Sequence, residues 1–181
     1  MKIAILGYAR QGQSAAEYYS QDKNNEITVC DIKQDIEIPK NYQKKLGKTY
    51  LDNLDEFDLI VRSPSIHPKD IVKNNNEKIL EKVTTTTNIF FEVCPTKNII
   101  GVTGTKGKGT TSTLISKMLE KAGYRVHLGG NIGLDPLQLL KENIKAQDWV
   151  VLELANFQLI DLKLSPRIAI CLTFTPEHLD W

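Results

Sequence analysis

Residues 3–6, Ile-Ala-Ile-Leu, form an unbroken apolar run that predicts a buried strand, and the glycine-bounded residues 7–12 after it predict a turn. Residues 14–19 then start a helix with Ala15, Ala16 and Tyr19 on one face, and residues 26–30 predict a second strand ending at Asp31. The chain therefore opens as a βαβ unit. Another apolar strand is expected at residues 57–61, and Pro64 and Pro68 force a loop after it. The polar residues 73–77 read as an exposed turn, the four threonines 84–87 as a strand edge and helix cap, and residues 94–97, Cys-Pro-Thr-Lys, as a linker.

Beyond the linker the pattern starts again. Strand, helix and strand are predicted at residues 98–103, 110–122 and 124–128, with Gly123 stopping the helix. Residues 149–154 and 168–173 are further continuous apolar runs, the kind found in sheets covered on both faces. The fold class is α/β: a Rossmann-like unit at residues 1–94, then a second parallel, helix-flanked unit at 95–181. In such sheets ligands collect beyond the carboxyl ends of the strands.

The loop between strand and helix in the second unit carries the clearest chemistry. Residues 101–111 read Gly-Val-Thr-Gly-Thr-Lys-Gly-Lys-Gly-Thr-Thr. Glycines let backbone N–H groups turn around phosphate oxygens, a helix N-terminus adds a positive dipole end, and Lys108 supplies a point charge for β- and γ-phosphates. Gly104, Thr105, Lys106, Gly107, Lys108, Gly109, Thr110 and Thr111 are the candidate ATP-binding residues. The loop departs from G-x-x-x-x-G-K-[ST]: Val102 stands at the first glycine, and Gly109 where a magnesium-binding hydroxyl is expected. The hydroxyl nearest the lysine belongs to Thr110. Glu153, at a predicted strand end, is placed to bind magnesium with it, since Mg²⁺ needs few protein ligands.

In the first unit the spacing from Gly7 to Asp31 suits a dinucleotide fingerprint, but Ala9 replaces the middle glycine of G-x-G-x-x-G. Taken alone, that unit leaves a cofactor site and a plain structural turn both open. His67 reads as a loop residue rather than a ligand.

Composition narrows the classes. With 41% hydrophobic and 25% charged residues among 181, the chain can bury a core, and 23 basic against 22 acidic residues give no long-range pull towards nucleic acid or anionic membrane. No run approaches a membrane span, and the amino-terminal apolar stretch is too short for a signal peptide. Cys30, Cys94 and Cys171 are widely spaced within or beside apolar runs, so free buried thiols in a reducing, cytoplasmic setting are expected.

The wording of the phosphate loop resembles that of the Mur ligase family, ATP-dependent amide ligases of peptidoglycan synthesis, and of the related folylpolyglutamate synthetases. Three later segments, in order, point to the D-glutamate-adding branch: residues 129–133 (G-G-N-I-G), 152–159 (L-E-L-A-N-F-Q-L, with Ala155-Asn156 where two serines are common) and 175–180 (T-P-E-H-L-D). The resemblance implies that the first unit holds the UDP end of UDP-N-acetylmuramoyl-L-alanine. Arg10 and Gln11 would then approach uracil, Asp31 would be the acid at the second strand end, and Ser63 and Ser65 would lie where an S-P-G loop meets the diphosphate. Ser65 replaces that glycine, which matters if the position needs φ > 0.

The resemblance also implies that Asn131 contacts substrate and that His178 holds a second Mg²⁺. Lys108, Glu153 and His178 become the catalytic set, with Thr110, Glu153 and His178 on metal. The implied reaction joins D-glutamate to the substrate carboxylate through an acyl phosphate, in a cytoplasmic monomer. Gly109 is shared with folylpolyglutamate synthetases, and other Mur-type ligases or a non-catalytic nucleotide-binding module are the alternatives. In the family a carbamylated lysine and a third domain follow H-L-D. The chain is therefore expected to be a front fragment, inactive alone, with exposed apolar surface.

Overall fold

A computed structural model of the chain describes residues 1–176 and divides it into two compact units, Met1–Thr86 and Thr87–Trp181. The first is a five-stranded parallel sheet in the order β3-β2-β1-β4-β5, built from β1 (Lys2–Leu6), β2 (Glu26–Asp31), β3 (Gln43–Leu46), β4 (Leu59–Arg62) and β5 (Val83–Thr84). Ile3 pairs with Ile27 on one side and Leu59 on the other, so the strand order reverses at β1. Ile3, Ala4, Ile5 and Leu6 are fully buried, as an unbroken apolar run covered on both faces requires.

Helix α1 (Arg10–Tyr19) begins earlier than the predicted turn allowed. Gly7, at φ +81°, makes the whole turn, and Ala9 is an extended N-cap that tolerates a side chain. Gly12 lies inside the helix, where a Cβ would fall 1.9 Å from the Gly7 carbonyl oxygen. Two of the three fingerprint positions thus need glycine, and the middle one does not. His67 is more than a loop residue: it caps α2 (Pro68–Asn74), its Nδ1 accepting from the Lys69 N–H at 2.9 Å.

Thr84, Thr85, Thr86 and Thr87 are all buried, at β5 and the start of α3 (Thr86–Val93). The division between units falls ahead of most of α3 rather than near residue 95. The reason is packing, for Phe90, Phe91 and Cys94 belong to the core formed by Ile99, Leu139, Val150 and Leu152.

The second unit is a four-stranded parallel sheet ordered β7-β8-β6-β9, from β6 (Ile99–Thr103), β7 (Val126–Gly130), β8 (Trp149–Glu153) and β9 (Ile168–Cys171). β6 sits between β8 and β9. Helix α4 (Lys108–Lys121) ends as Gly123 predicts. That glycine is at φ +90°, its N–H donates to Glu120, and the Tyr124 N–H donates back to Leu119.

β8 is covered on both faces as expected, but β9 is not: most of it is exposed, and among the described residues it is an edge strand paired with β6 alone. Cys171 lies on that edge and is exposed, whereas Cys30 and Cys94 are buried. Burial pushes the Cys30 thiol up to about 12, against the smaller effect of Lys45, so it is protonated at neutral pH. Leu114, Met118, Ile168 and Phe174 are exposed too. Among the described residues no helix is long and apolar enough to cross a membrane.

A buried polar cluster joins β7 to the turn before β8. The His127 ring contacts Glu142 Oε2 through Nδ1 at 2.7 Å and Asp148 Oδ2 through Nε2 at 3.0 Å. Burial alone would raise the Asp148 carboxyl, but hydrogen bonds from His127 and the Lys145 N–H, with the Arg125 and His127 charges, outweigh it and hold the group below 3.8. A depressed folded pKa contributes stability above the unfolded value and loses it as pH falls through the folded one. Asp148→Asn is therefore expected to lower Tm at pH 6, and the gap to wild type should close as pH drops below about 4. A pH-independent gap in thermal melts would contradict this.

Candidate functional site

In the second unit, β6 delivers Thr103 to the mouth of the loop, and the next residues are shaped by contact with the segment after β9. Gly104, at φ +133°, would place a Cβ 2.7 Å from Leu172 Cβ. The Thr105 N–H donates to Thr173 O at 3.0 Å. Its hydroxyl donates to Thr175 O at 3.0 Å and accepts from the Thr175 N–H at 3.0 Å. Gly107, at φ +84°, is the N-cap of α4, and Lys108 is the first helical residue.

Lys108 arches back over the loop. Its Nζ donates to Gly104 O at 2.7 Å and Thr105 O at 2.9 Å. Two carbonyls that would otherwise repel an anion are thereby engaged by a cation, at the positive end of the α4 dipole. A cavity of about 300 Å³ opens here, lined by Thr103, Gly104, Thr105, Lys108 and Asn131, and by Asn156, Phe157 and Phe174. The Thr103 hydroxyl oxygen is buried without a protein partner, a polar atom left for a ligand or water.

Glu153 closes β8 and is 4% exposed. Asn131 holds it twice: Nδ2 donates to Oε1 at 2.9 Å, and the Asn131 N–H donates to Glu153 O at 2.9 Å. The glycines around Asn131 are there for clearance. A Cβ on Gly130, at φ +104°, would sit 2.2 Å from Glu153 O, and one on Gly129 would sit 2.5 Å from Leu134 O.

Gly109 faces the same carboxylate, for its Cβ would lie 3.1 Å from Glu153 Oε2. Thr110 is the next residue around the helix and is exposed, as is Lys106, while Thr111 is half-buried. Lys108 and Asn131 thus line one cavity, with Glu153 held through Asn131. His178 lies outside the described residues. Gln158 has a structural part: it is 1% exposed, and its Oε1 accepts from the Ala155 N–H at 2.9 Å to start α5 (Asn156–Leu159).

Among the described residues no cluster of three or more His, Cys, Asp or Glu could hold a metal ion by itself. The donors present, one buried carboxylate beside a phosphate-type loop and a threonine hydroxyl, fit Mg²⁺, which keeps most of its waters and shares phosphate oxygens.

In the first unit a cavity of about 350 Å³ lies beyond β1 and β4, lined by Gly7, Tyr8, Asp31, Ile36, Tyr50, Ser63 and Ser65 among others. The Asp31 carboxylate organises the turn, Oδ2 accepting from the Tyr8 N–H at 2.7 Å and Oδ1 from the Lys33 N–H at 2.9 Å. Ser65 needs no left-handed backbone, since the non-glycine residues with positive φ are Asn53 and Asn143. Its hydroxyl lies 3.1 Å from that of Ser63. Arg10 and Gln11 do not line this cavity: Arg10 is exposed, and Gln11 Oε1 accepts from the Thr86 hydroxyl at 3.1 Å. Tyr8, Ile36 and Tyr50 were not singled out from sequence, because isolated tyrosines and isoleucines carry no motif.

A phosphate-type loop between the carboxyl end of a parallel strand, β6, and the N-terminus of the helix α4 is the arrangement of nucleotide-binding α/β proteins. Residues 102–181 match the Mur ligase middle domain. The chain is 41% identical over 167 residues to a protein of Clostridium botulinum strain Alaska E43 named UDP-N-acetylmuramoylalanine--D-glutamate ligase, covering 91% of this chain and 35% of that protein. Proteins of the same name from Acetivibrio thermocellus and Clostridium tetani are 37% and 36% identical, each over 99% of this chain and 40% of the relative. The chain belongs to the Mur ligase family, and it spans well under half the length of these relatives. A solved structure, the UDP-N-acetylmuramate:L-alanyl-gamma-D-glutamyl-meso-diaminopimelate ligase from Neisseria meningitides, shares the fold with a TM-score of 0.51 at 21% identity, covering 98% of this chain and 61% of that one.

Gly130→Ala should be costly. Left-handed strain of about 1–2 kcal/mol and overpacking of about 1–3 kcal/mol together predict a loss of roughly 2–5 kcal/mol in denaturant unfolding. A change within about 0.5 kcal/mol would show that the 129–133 turn does not depend on this glycine.

Proposed function

We propose that the chain is the substrate- and ATP-binding part of a cytoplasmic, monomeric ligase that adds D-glutamate to UDP-N-acetylmuramoyl-L-alanine. The observation that carries this reading is the juxtaposition of Lys108, the loop carbonyls and Asn131 around one cavity, with the buried Glu153 held by Asn131, in a chain whose D-glutamate ligase relatives match nearly its whole length. UDP-N-acetylmuramoyl-L-alanine would place its UDP end in the first unit at Gly7, Asp31, Ser63 and Ser65, with Arg10 and Gln11 at the adjoining helix start.

Joining a carboxylate to an amine requires a better leaving group than oxide. The substrate carboxylate takes the γ-phosphoryl group of ATP to give an acyl phosphate and ADP, and the D-glutamate amine then displaces phosphate. The approach of two anions is the electrostatic obstacle. The residues from Gly104 to Thr111 would cradle the triphosphate, with N–H groups at the α4 N-terminus and the Lys108 ammonium meeting its charge. Mg²⁺ supplies Lewis-acid charge neutralisation when bound. Glu153 and Thr110 would hold it, and His178 a second ion. Asn131 keeps the Glu153 carboxylate aimed while reaching the reacting end of the substrate.

Removing Lys108 tests the nucleotide half. Lys108→Met should weaken binding of a non-hydrolysable ATP analogue by about 10- to 100-fold, the equivalent of about 1.5–3 kcal/mol for a charged hydrogen bond. Unchanged affinity by calorimetry would remove the loop from the site. The activity itself is read as phosphate release by the protein that carries this chain, expected only when ATP, UDP-N-acetylmuramoyl-L-alanine and D-glutamate are all present. Equal release with another amino acid would reassign the ligase, and tight binding without release would leave a nucleotide-binding module.

A further inference from the structure

We propose that Arg62 is the positioning residue that makes the loop after β4 an anion receptor, by gathering the loop's carbonyls beneath it so that N–H and hydroxyl donors face the cavity. The proposal rests on reading that cavity as the UDP site, and its ligand is the diphosphate of a nucleoside diphosphate.

Arg62 ends β4 and is 1% exposed, the bulkiest fully buried side chain among the described residues. Arginine is almost never buried without partners, because desolvating its charge is costly. Here Nη1 donates to Ile66 O at 2.7 Å, Ser63 O at 3.2 Å and Pro64 O at 3.4 Å. Three carbonyls of one short loop are thus drawn towards a single guanidinium, and each is an acceptor that would repel phosphate if it pointed outward.

The donors sort in a complementary way. The Ser63 N–H is committed to Leu6 O at 2.9 Å and the Ile66 N–H to Ser63 O at 3.0 Å, and Pro64 has none. Of residues 63–66, that leaves the Ser65 N–H as the backbone donor not committed within the loop. The Ser63 and Ser65 hydroxyls stand 3.1 Å apart and both residues line the cavity opposite Gly7 and Tyr8. A buried positive charge under this rim also favours an anion above it, with little screening by solvent.

The test is NMR titration of the wild-type chain and its variants with UDP, pyrophosphate and uridine. The Ser65 amide is expected to shift with UDP and with pyrophosphate but not with uridine, which lacks the phosphates. Arg62→Met should weaken UDP at least tenfold and uridine less than twofold, and Arg62→Lys, which keeps the charge, should recover part of the loss. Equal weakening of UDP and uridine in Arg62→Met would mean that Arg62 is only a core plug, and would overturn the proposal. So would a wild-type Ser65 amide that ignores both phosphate ligands, a result that stands even if Arg62→Met does not fold. A wild-type chain that binds no UDP overturns the reading of the cavity and the proposal with it, whereas UDP binding retained in Arg62→Met overturns the proposal alone.

Discussion

Each backbone N–H turned towards an anion leaves nearby carbonyls to be satisfied elsewhere, and both cavities of this chain are organised by that constraint. In the second unit Lys108 takes the Gly104 and Thr105 carbonyls; in the first, Arg62 takes those of Ser63, Pro64 and Ile66. The two cations differ as their chemistry demands. The flexible ammonium lines its cavity, within reach of whatever enters it. The fixed guanidinium is buried, where it can only hold.

Glycine serves the second site through clearance as much as through φ. Asn131 reaches Glu153 with both backbone and side chain because Gly130 lets the β7 end pass against the Glu153 carbonyl. A strand-end carboxylate at 4% exposure would otherwise pay a large desolvation cost, and the Asn131 amide offsets part of it. The G-G-N-I-G segment is therefore a mould for one carboxylate, which explains why it and the L-E-L segment are useful to each other although they are distant in sequence.

Much of this was legible beforehand. β1 and β8 declared themselves as unbroken apolar runs, and Gly123 marked the end of α4, whose start at Lys108 lies two residues ahead of the expected Thr110. What could not be read depends on neighbours distant in the chain. The apolar pattern of residues 168–171 does not say that β9 is an edge, so its exposure and that of Cys171 were missed. Thr84 to Thr87 look polar, yet strand pairing and helix start bury them. Arg62 follows a strand as any charged residue might, and nothing local says that three carbonyls wait for it. Gln158 sits in the L-E-L-A-N-F-Q-L segment, and nothing local says that its side-chain oxygen accepts from the Ala155 N–H.

Position 109 joins these threads. A loop of this type usually has a hydroxyl after its lysine, directed at magnesium. Here the Cβ of that residue would come within 3.1 Å of Glu153 Oε2, closer than most side-chain contacts allow. Glu153 cannot simply withdraw, because Asn131 fixes its other oxygen and the Gly130 turn fixes its backbone. With the carboxylate held that near the first turn of α4, glycine is the residue that leaves it undisturbed, and under the proposed function the hydroxyl would come from the next position around the helix, Thr110. The departure from the usual loop is thus coupled to the Asn131–Glu153 pair, and the two have to be considered as one unit when the loop is altered.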